Sequence, residues 1–176
     1  SAEFKGVADG LVPTEVVVPT LTASIAQSTP VASASNTITV TIDTNIDLAE
    51  SGDTSVVTIT GLKTGQSAGS AGTLTDVSST GGAVPDNVLS GAFSDANSVA
   101  GDTLTLTVKS GQTLEVGKSY RFSFSITNPS SQQTKGAISI AASGPATFSA
   151  AAMTVLTSTS AEFKGVADGL VPTEVV

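Results

Sequence analysis

The sequence predicts an all-β fold, an antiparallel β-sandwich of about seven to nine short strands. Polar and apolar residues alternate at period two in several short segments, and turn-forming residues separate those segments. The composition agrees, because the abundant Val and Thr are β-branched and pack well on a pleated sheet. No stretch shows a convincing helical period.

The clearest predicted strands alternate Thr or Ser with large apolar residues. They lie at residues 36–43, 55–60, 103–108 and 119–127. A turn at 110–111 follows the third of them, and Asn-Pro ends the fourth because proline cannot donate a ladder hydrogen bond. Each of these segments therefore has one face suited to a core and one suited to water.

Weaker strands are predicted near Leu74, at 88–93, at 137–140 and at 147–156. The apolar segment 11–26 contains two prolines, which exclude a continuous helix and favour an edge strand or a linker.

An exact repeat occupies the two ends of the chain. Residues 1–17 read SAEFKGVADGLVPTEVV, and the same 17 residues return 159 positions later, at 160–176. Three interpretations stay open: a tandem array with this period, a subunit that exchanges its terminal segment with a neighbour, or an engineered duplication. An array or polymer is preferred, and the first two merge if each repeat lends a strand to the next.

The repeat divides the chain into three parts. Residues 1–17 are predicted to form a connector or a donated strand, residues 18–156 the sandwich, and residues 157–176 the second connector. Strand addition would supply main-chain hydrogen bonds and cover an exposed edge. The residues predicted to mediate this self-association are Leu11, Val12, Val16, Val17, Val18, Leu21, Phe163, Val166, Leu170 and Val171.

The composition excludes several classes of function. The net charge is −8 and the basic residues are scattered, so nucleic acid is not expected as a partner. Cysteine and histidine are absent, which removes disulfides and the usual catalytic bases and metal ligands. No apolar run is long enough to predict membrane insertion. We expect no catalytic residues and no cofactor.

One short motif could bind a cation. Asp43, Asn45 and Asp47 have the oxygen spacing that begins a calcium loop, but they lack its central glycine and its late glutamate. A turn, in which the Asp and Asn side chains bond their own backbone, is the preferred interpretation. The alternative function is an adhesin-type module that recognises glycan or calcium through loops at 43–53 or 64–100.

Several stretches resemble known repeats: QSTP at 27–30, ASNTITVTIDTNIDL at 34–48, VTITGL at 57–62, TLTLTV at 103–108, FSITNPSS at 124–131 and AAMT at 151–154. Together they resemble repeats in very large secreted surface proteins of unicellular algae and other protists. The resemblance covers residues 24–154 and implies an immunoglobulin-like tandem sandwich at the cell surface or in an appendage. It implies no catalytic residues.

These observations predict a structural subunit of an extracellular filament or cell-surface array. Its expected partners are copies of itself, joined covalently or by donor-strand complementation. The chain is rich in Ser and Thr, and its hydroxyls could carry O-linked glycans, while no Asn-X-Ser/Thr sequon is present.

Overall fold

The structure is a computed structural model that describes residues 17–49, 55–62, 69–70, 74–76, 89–94, 102–132, 137–144 and 146–156. Within these ranges the chain is entirely β, which confirms the predicted sandwich. In the same ranges there is no helix of the length and apolarity needed to cross a membrane.

The strands, in chain order, are β1 (Leu21–Gln27), β2 (Ser35–Thr44), β3 (Leu48–Ala49), β4 (Val56–Leu62), β5 (Gly69–Ser70), β6 (Thr75–Asp76), β7 (Leu89–Ser94), β8 (Asp102–Val108), β9 (Thr113–Leu114), β10 (Tyr120–Thr127), β11 (Ser139–Ser143), β12 (Phe148–Ala152) and β13 (Thr154–Val155). The first sheet has the order β13-β1-β2-β10-β6, and the second has the order β12-β11-β4-β8-β7-β5. A two-stranded ribbon, β3-β9, stands apart from both.

The topology is immunoglobulin-like. The first sheet contains β1, β2, β10 and β6 as neighbours, which is the A-B-E-D order of that fold. The second contains β12, β11 and β4, which is the G-F-C order. The antiparallel pair β7 and β8 lies between β6 and β10 in sequence and extends the second sheet beyond β4.

Alternation along the strands builds the core. In β2 the side chains of Ile38, Val40 and Ile42 are fully buried, while the threonines between them face outward. The buried side chains of β10 lie beside those of β2, with Phe122 paired to Val40 and Phe124 paired to Ile38. Both sheets contribute to one hydrophobic cluster, so their inner faces form a single sandwich core.

The last strand region passes from one sheet to the other. Residues 148–152 pair with β11 in the second sheet, and residues 154–155 pair with β1 in the first. Between them the Met153 N–H donates to the Ile138 carbonyl at 3.0 Å. The sequence predicts a single strand over 147–156, and the structure divides it at this crossing.

For the segment 11–26 the sequence predicts an edge strand or a linker. Its residues 11–16 lie outside the described residues, and from Leu21 onward it forms an inner strand. The β1 strand is hydrogen-bonded to β2 along its whole length and to β13 on its other side. Leu21, at its start, is 3% exposed and belongs to the core of its own sandwich.

Candidate functional site at the two ends of the sandwich

The chain runs through the sandwich from one end to the other. Strand β13 is parallel to β1, with Ser24 opposite Thr154 and Ile25 opposite Val155. Because the first and last strands point the same way, the chain joins the sandwich at one end and leaves toward the opposite end. We call these the N-terminal pole, formed by residues 17–20, 43–48 and 113–120, and the C-terminal pole, formed by residues 28–34 and 127–132.

Asn45 clamps the arriving chain at the N-terminal pole. Its side-chain oxygen accepts from the Thr20 N–H at 2.7 Å, and its side-chain nitrogen donates to the Val18 carbonyl at 2.9 Å. Its own backbone N–H donates to the Thr20 carbonyl at 3.3 Å. One asparagine thus extends the hydrogen-bonding ladder past the start of β1 and sets the direction in which residues 18–20 run.

The two aspartates of the calcium-like motif bind other parts of the same pole. Asp47 accepts from the Val116 N–H at 2.7 Å, and Asp43 accepts a hydrogen bond from the Ser119 hydroxyl. The motif's oxygens are therefore directed at three different partners. Within the described ranges, His, Cys, Asp and Glu form no group of three that could hold a metal ion.

Tyr120 anchors the loop that follows β9. Its ring is 1% exposed, and its hydroxyl accepts from the Glu115 N–H at 2.8 Å and donates to the Thr113 carbonyl at 3.1 Å. As in the tyrosine corner of β-sandwiches, the hydroxyl bonds backbone a few residues upstream, but Tyr120 begins β10, the equivalent of strand E and not of strand F. Burial raises the pKa of the Tyr120 phenol, because the charged phenolate would lose hydration.

An exposed ion pair lies in the same loop. The Lys118 ammonium and the Glu115 carboxylate are 2.7 Å apart, and their hydrogen bond raises the pKa of Lys118. Because both side chains are solvated, the pair contributes little to stability.

An amide cluster closes the core at the C-terminal pole. The buried Asn36 donates to the side-chain oxygens of Gln27, at 3.1 Å, and Asn128, at 2.8 Å. Its own side-chain oxygen accepts from the N–H groups of Ser28, at 3.0 Å, and Thr29, at 3.2 Å. Buried amides that are bonded on both their donor and acceptor sides fix the surrounding backbone in one arrangement.

Asn128 links the amide cluster to the loop at 28–34. Its side-chain nitrogen donates to the carbonyls of Thr29, at 3.1 Å, and Val31, at 2.9 Å. Ser33 adopts a left-handed backbone conformation with φ of 58°, and its N–H donates to the Pro129 carbonyl at 3.0 Å. The loop is therefore held at both sides of its tip.

Exposed apolar side chains gather at the two poles. In the part of the chain that the structure describes, the large hydrophobic residues that are exposed are Val17 (48%), Val18 (70%), Val31 (55%) and Val116 (53%). Three of them belong to the N-terminal pole and Val31 to the C-terminal pole.

The residues predicted to mediate self-association divide into two groups. Val17 and Val18 are exposed beside the first strand, and Leu21 is buried inside it. Leu11, Val12, Val16, Phe163, Val166, Leu170 and Val171 lie outside the described residues. Strand donation by the connectors remains a prediction.

Sequence reasoning missed the amide cluster, although a signal for it exists. Gln27 follows Ile25 in β1, Asn36 precedes Ile38 at the start of β2, and Asn128 follows Ile126 just after β10, each at the spacing of the inward-facing row. Three polar residues at inward positions, all at the same end of neighbouring strands, indicate that polar groups cover this end of the core. Val31 and Val116 were also missed, because one valine in a loop has no periodic context.

Comparison with known proteins finds distant structural similarity. No family model matches the chain, and no curated protein matches it. Among solved structures, it is similar to a GH20 exo-β-N-acetylglucosaminidase from Vibrio harveyi in complex with N-acetylglucosamine, with a TM-score of 0.38 and 13% identity. An inactive mutant of that enzyme gives a TM-score of 0.39 and 13% identity. Each likeness covers 77% of this chain and 18% of the other, and at these scores it carries no inference about function.

Proposed function

We propose that this chain is a structural subunit of an extracellular filament or cell-surface array built from β-sandwiches in series. The observation that supports the proposal is the direction of the chain, because β1 and β13 are parallel, so the chain enters the first strand and leaves the last one running the same way. A sandwich of this kind lengthens an array each time it is repeated.

The terminal repeat supplies the second argument. The segment that precedes Val18 is identical to residues 160–176, so the chain can be continued by another sandwich in the same register. In such an array every sandwich would be followed by the same connector, and the axial spacing would be uniform.

The proposal assigns the chain no catalytic activity. Histidine and cysteine are absent from the sequence, and the polar side chains of the two poles bind backbone groups and each other. Asn45 holds residues 18–20, and Asn36 and Asn128 hold the loop at 28–34. These contacts serve mechanical continuity between the arriving chain, the core and the opposite end.

Electron micrographs of the native material, together with its intact mass, test this function. We expect fibres with an axial repeat set by a single sandwich, and a mass that contains several periods of 159 residues. Globular particles with the mass of a single period would contradict the proposal.

A further inference from the structure

We propose that consecutive sandwiches dock end to end, with the N-terminal pole of each against the C-terminal pole of the preceding copy. The contact is made by Val17, Val18 and Val116 on one side and by Val31 on the other. This inference rests on the proposed function, because it requires a second copy in series.

The position of the exposed valines is the first observation. The outward rows of the long strands are dominated by Thr and Ser, as at Thr37, Thr39 and Thr41 of β2. The strongly exposed valines instead lie at the two poles. Three of them, Val17, Val18 and Val116, belong to one pole, and apolar side chains exposed together on a polar surface mark an interaction site.

The path of the chain identifies the occupant as a second copy. Strand β13 runs toward the C-terminal pole, and the Leu156 N–H donates to the Ile25 carbonyl at 2.9 Å, two residues before β1 ends. Residues 157–176 then end on Val176, which corresponds to Val17 in the terminal repeat. A connector of this length ties the C-terminal pole of one sandwich to the N-terminal pole of the next. The tether gives the two poles an effective concentration that can reach the millimolar range, so even a small apolar contact becomes populated.

Both surfaces are held in place before they meet. Asn45 fixes the backbone at Val18, Asp47 holds the Val116 N–H, and Asn128 holds the Val31 carbonyl. Ordering these segments on contact would therefore cost little conformational entropy.

The charges allow the two poles to approach. Residues 28–34 and 127–132 of the C-terminal pole contain no charged side chain, whereas the N-terminal pole contains Asp43, Asp47, Glu115 and Lys118. Like charges therefore do not face each other across the proposed contact between these segments.

Distances measured between spin labels in a two-period protein test the docking. The protein consists of residues 1–176 followed by a second copy of residues 18–176. The natural chain has no cysteine, so Ser130→Cys in the first copy and Gln112→Cys in the second give two unique labels at exposed positions. Electron-electron double resonance should show one narrow distance distribution.

The apolar residues are then replaced by serine. Val31→Ser in the first copy, with Val18→Ser and Val116→Ser in the second, should broaden the distribution at least twofold. The control variant carries Thr37→Ser and Ser125→Ala on the outward face of the first sheet and should keep the narrow distribution. Far-UV circular dichroism checks that each variant folds, as expected for exposed positions.

Two results would overturn docking: a broad distribution in the unmodified two-period protein, or a narrow one that survives the three valine replacements. X-ray scattering on the same samples separates this failure from failure of the proposed function. An elongated two-period protein with broad label distances retains sandwiches in series without docking. If scattering shows that the two-period protein is not elongated, the proposed arrangement of sandwiches in series is contradicted as well.

Discussion

At the scale of single residues, the N-terminal pole depends on Tyr120. Its ring fills the core while its hydroxyl satisfies one backbone donor and one backbone acceptor of the loop after β9. Replacing it with phenylalanine keeps most of the apolar contact and removes both hydrogen bonds. We expect Tyr120→Phe to lower the free energy of unfolding by about 1–2 kcal/mol near neutral pH, measured by urea denaturation.

The raised pKa of Tyr120 also makes a prediction about alkaline stability. An unfolded tyrosine ionises near pH 10, while the folded phenol keeps its proton to higher pH. The contribution of this group is therefore complete below about pH 10 and is lost as the pH rises through the folded pKa. The stability difference between the natural protein and Tyr120→Phe should shrink above pH 10.

Two measurements check this. Urea denaturation at about pH 8 and at about pH 10.5 compares the natural protein with Tyr120→Phe, and lysine titration is common to both. Because the chain has one tyrosine and no tryptophan, absorbance at the phenolate band reports Tyr120 alone. A stability difference that stays constant between these two pH values would contradict the prediction.

Asn36 is the residue on which the C-terminal pole depends. Asn36→Ala removes the donor that bonds the side-chain oxygens of Gln27 and Asn128 and the acceptor of the Thr29 N–H, while the Ser28 N–H keeps the Thr37 carbonyl. We expect the free energy of unfolding to fall by about 2–4 kcal/mol, because unsatisfied buried groups are costly.

The neighbouring outward-facing residue of the same strand provides the control. Thr37 is exposed, so Thr37→Ala should change stability by no more than about 0.5 kcal/mol. Equal effects of the two substitutions in urea denaturation would show that the amide cluster has no special role.

At the scale of elements, Gly61 controls how β4 ends. Its φ is +87°, and a Cβ at this position would overlap the Ala137 carbonyl oxygen. The register of β4 against β8 shifts between Ile59 and Leu62, so this glycine lies in an irregularity of the ladder. Gly61→Ala should destabilise the protein by about 2–5 kcal/mol, from left-handed strain plus backbone displacement.

Gly111 separates the two causes. It has a φ of +73° but no neighbouring atom within 4 Å of an added Cβ. Gly111→Ala should therefore cost about 1–2 kcal/mol, from backbone strain alone. Thermal and urea unfolding measure both variants, and a loss at Gly111 as large as that at Gly61 would be inconsistent with the proposed overlap.

The strands show how far sequence reasoning reaches. Residues 36–43 and 119–127 were predicted from alternation alone, and the structure has β2 at Ser35–Thr44 and β10 at Tyr120–Thr127. Alternation succeeds there because one face of each strand is buried and the other is wet. It does not reveal that residues 147–156 change sheets at Met153, since both halves keep an extended backbone.

The poles were harder to predict than the strands. Asn36 and Asn128 are 92 positions apart in sequence, and their contact follows from the antiparallel pairing of β2 with β10. The oxygen spacing at Asp43, Asn45 and Asp47 suggested a shared cation, but Asp43 lies in β2 and the other two lie between β2 and β3, and the three side chains bond different partners. Local spacing in sequence does not determine such directions.

At the scale of the whole molecule, the account depends on the order of sandwiches along a line. Strand β2 has ten residues, so a sandwich measures about 34 Å along its strands, at about 3.4 Å per residue. Each period should lengthen the molecule by at least this amount. The length added by each period would be larger with an extended connector and smaller with docked poles, but it would be present in both cases.

Small-angle X-ray scattering of the one-period and two-period proteins tests this most directly. The two-period protein is the one described above, residues 1–176 followed by a second copy of residues 18–176. The account predicts that its maximum dimension exceeds that of the one-period protein by at least about 34 Å. An unchanged maximum dimension with a thicker cross-section would mean that the sandwiches lie side by side, and it would contradict the account.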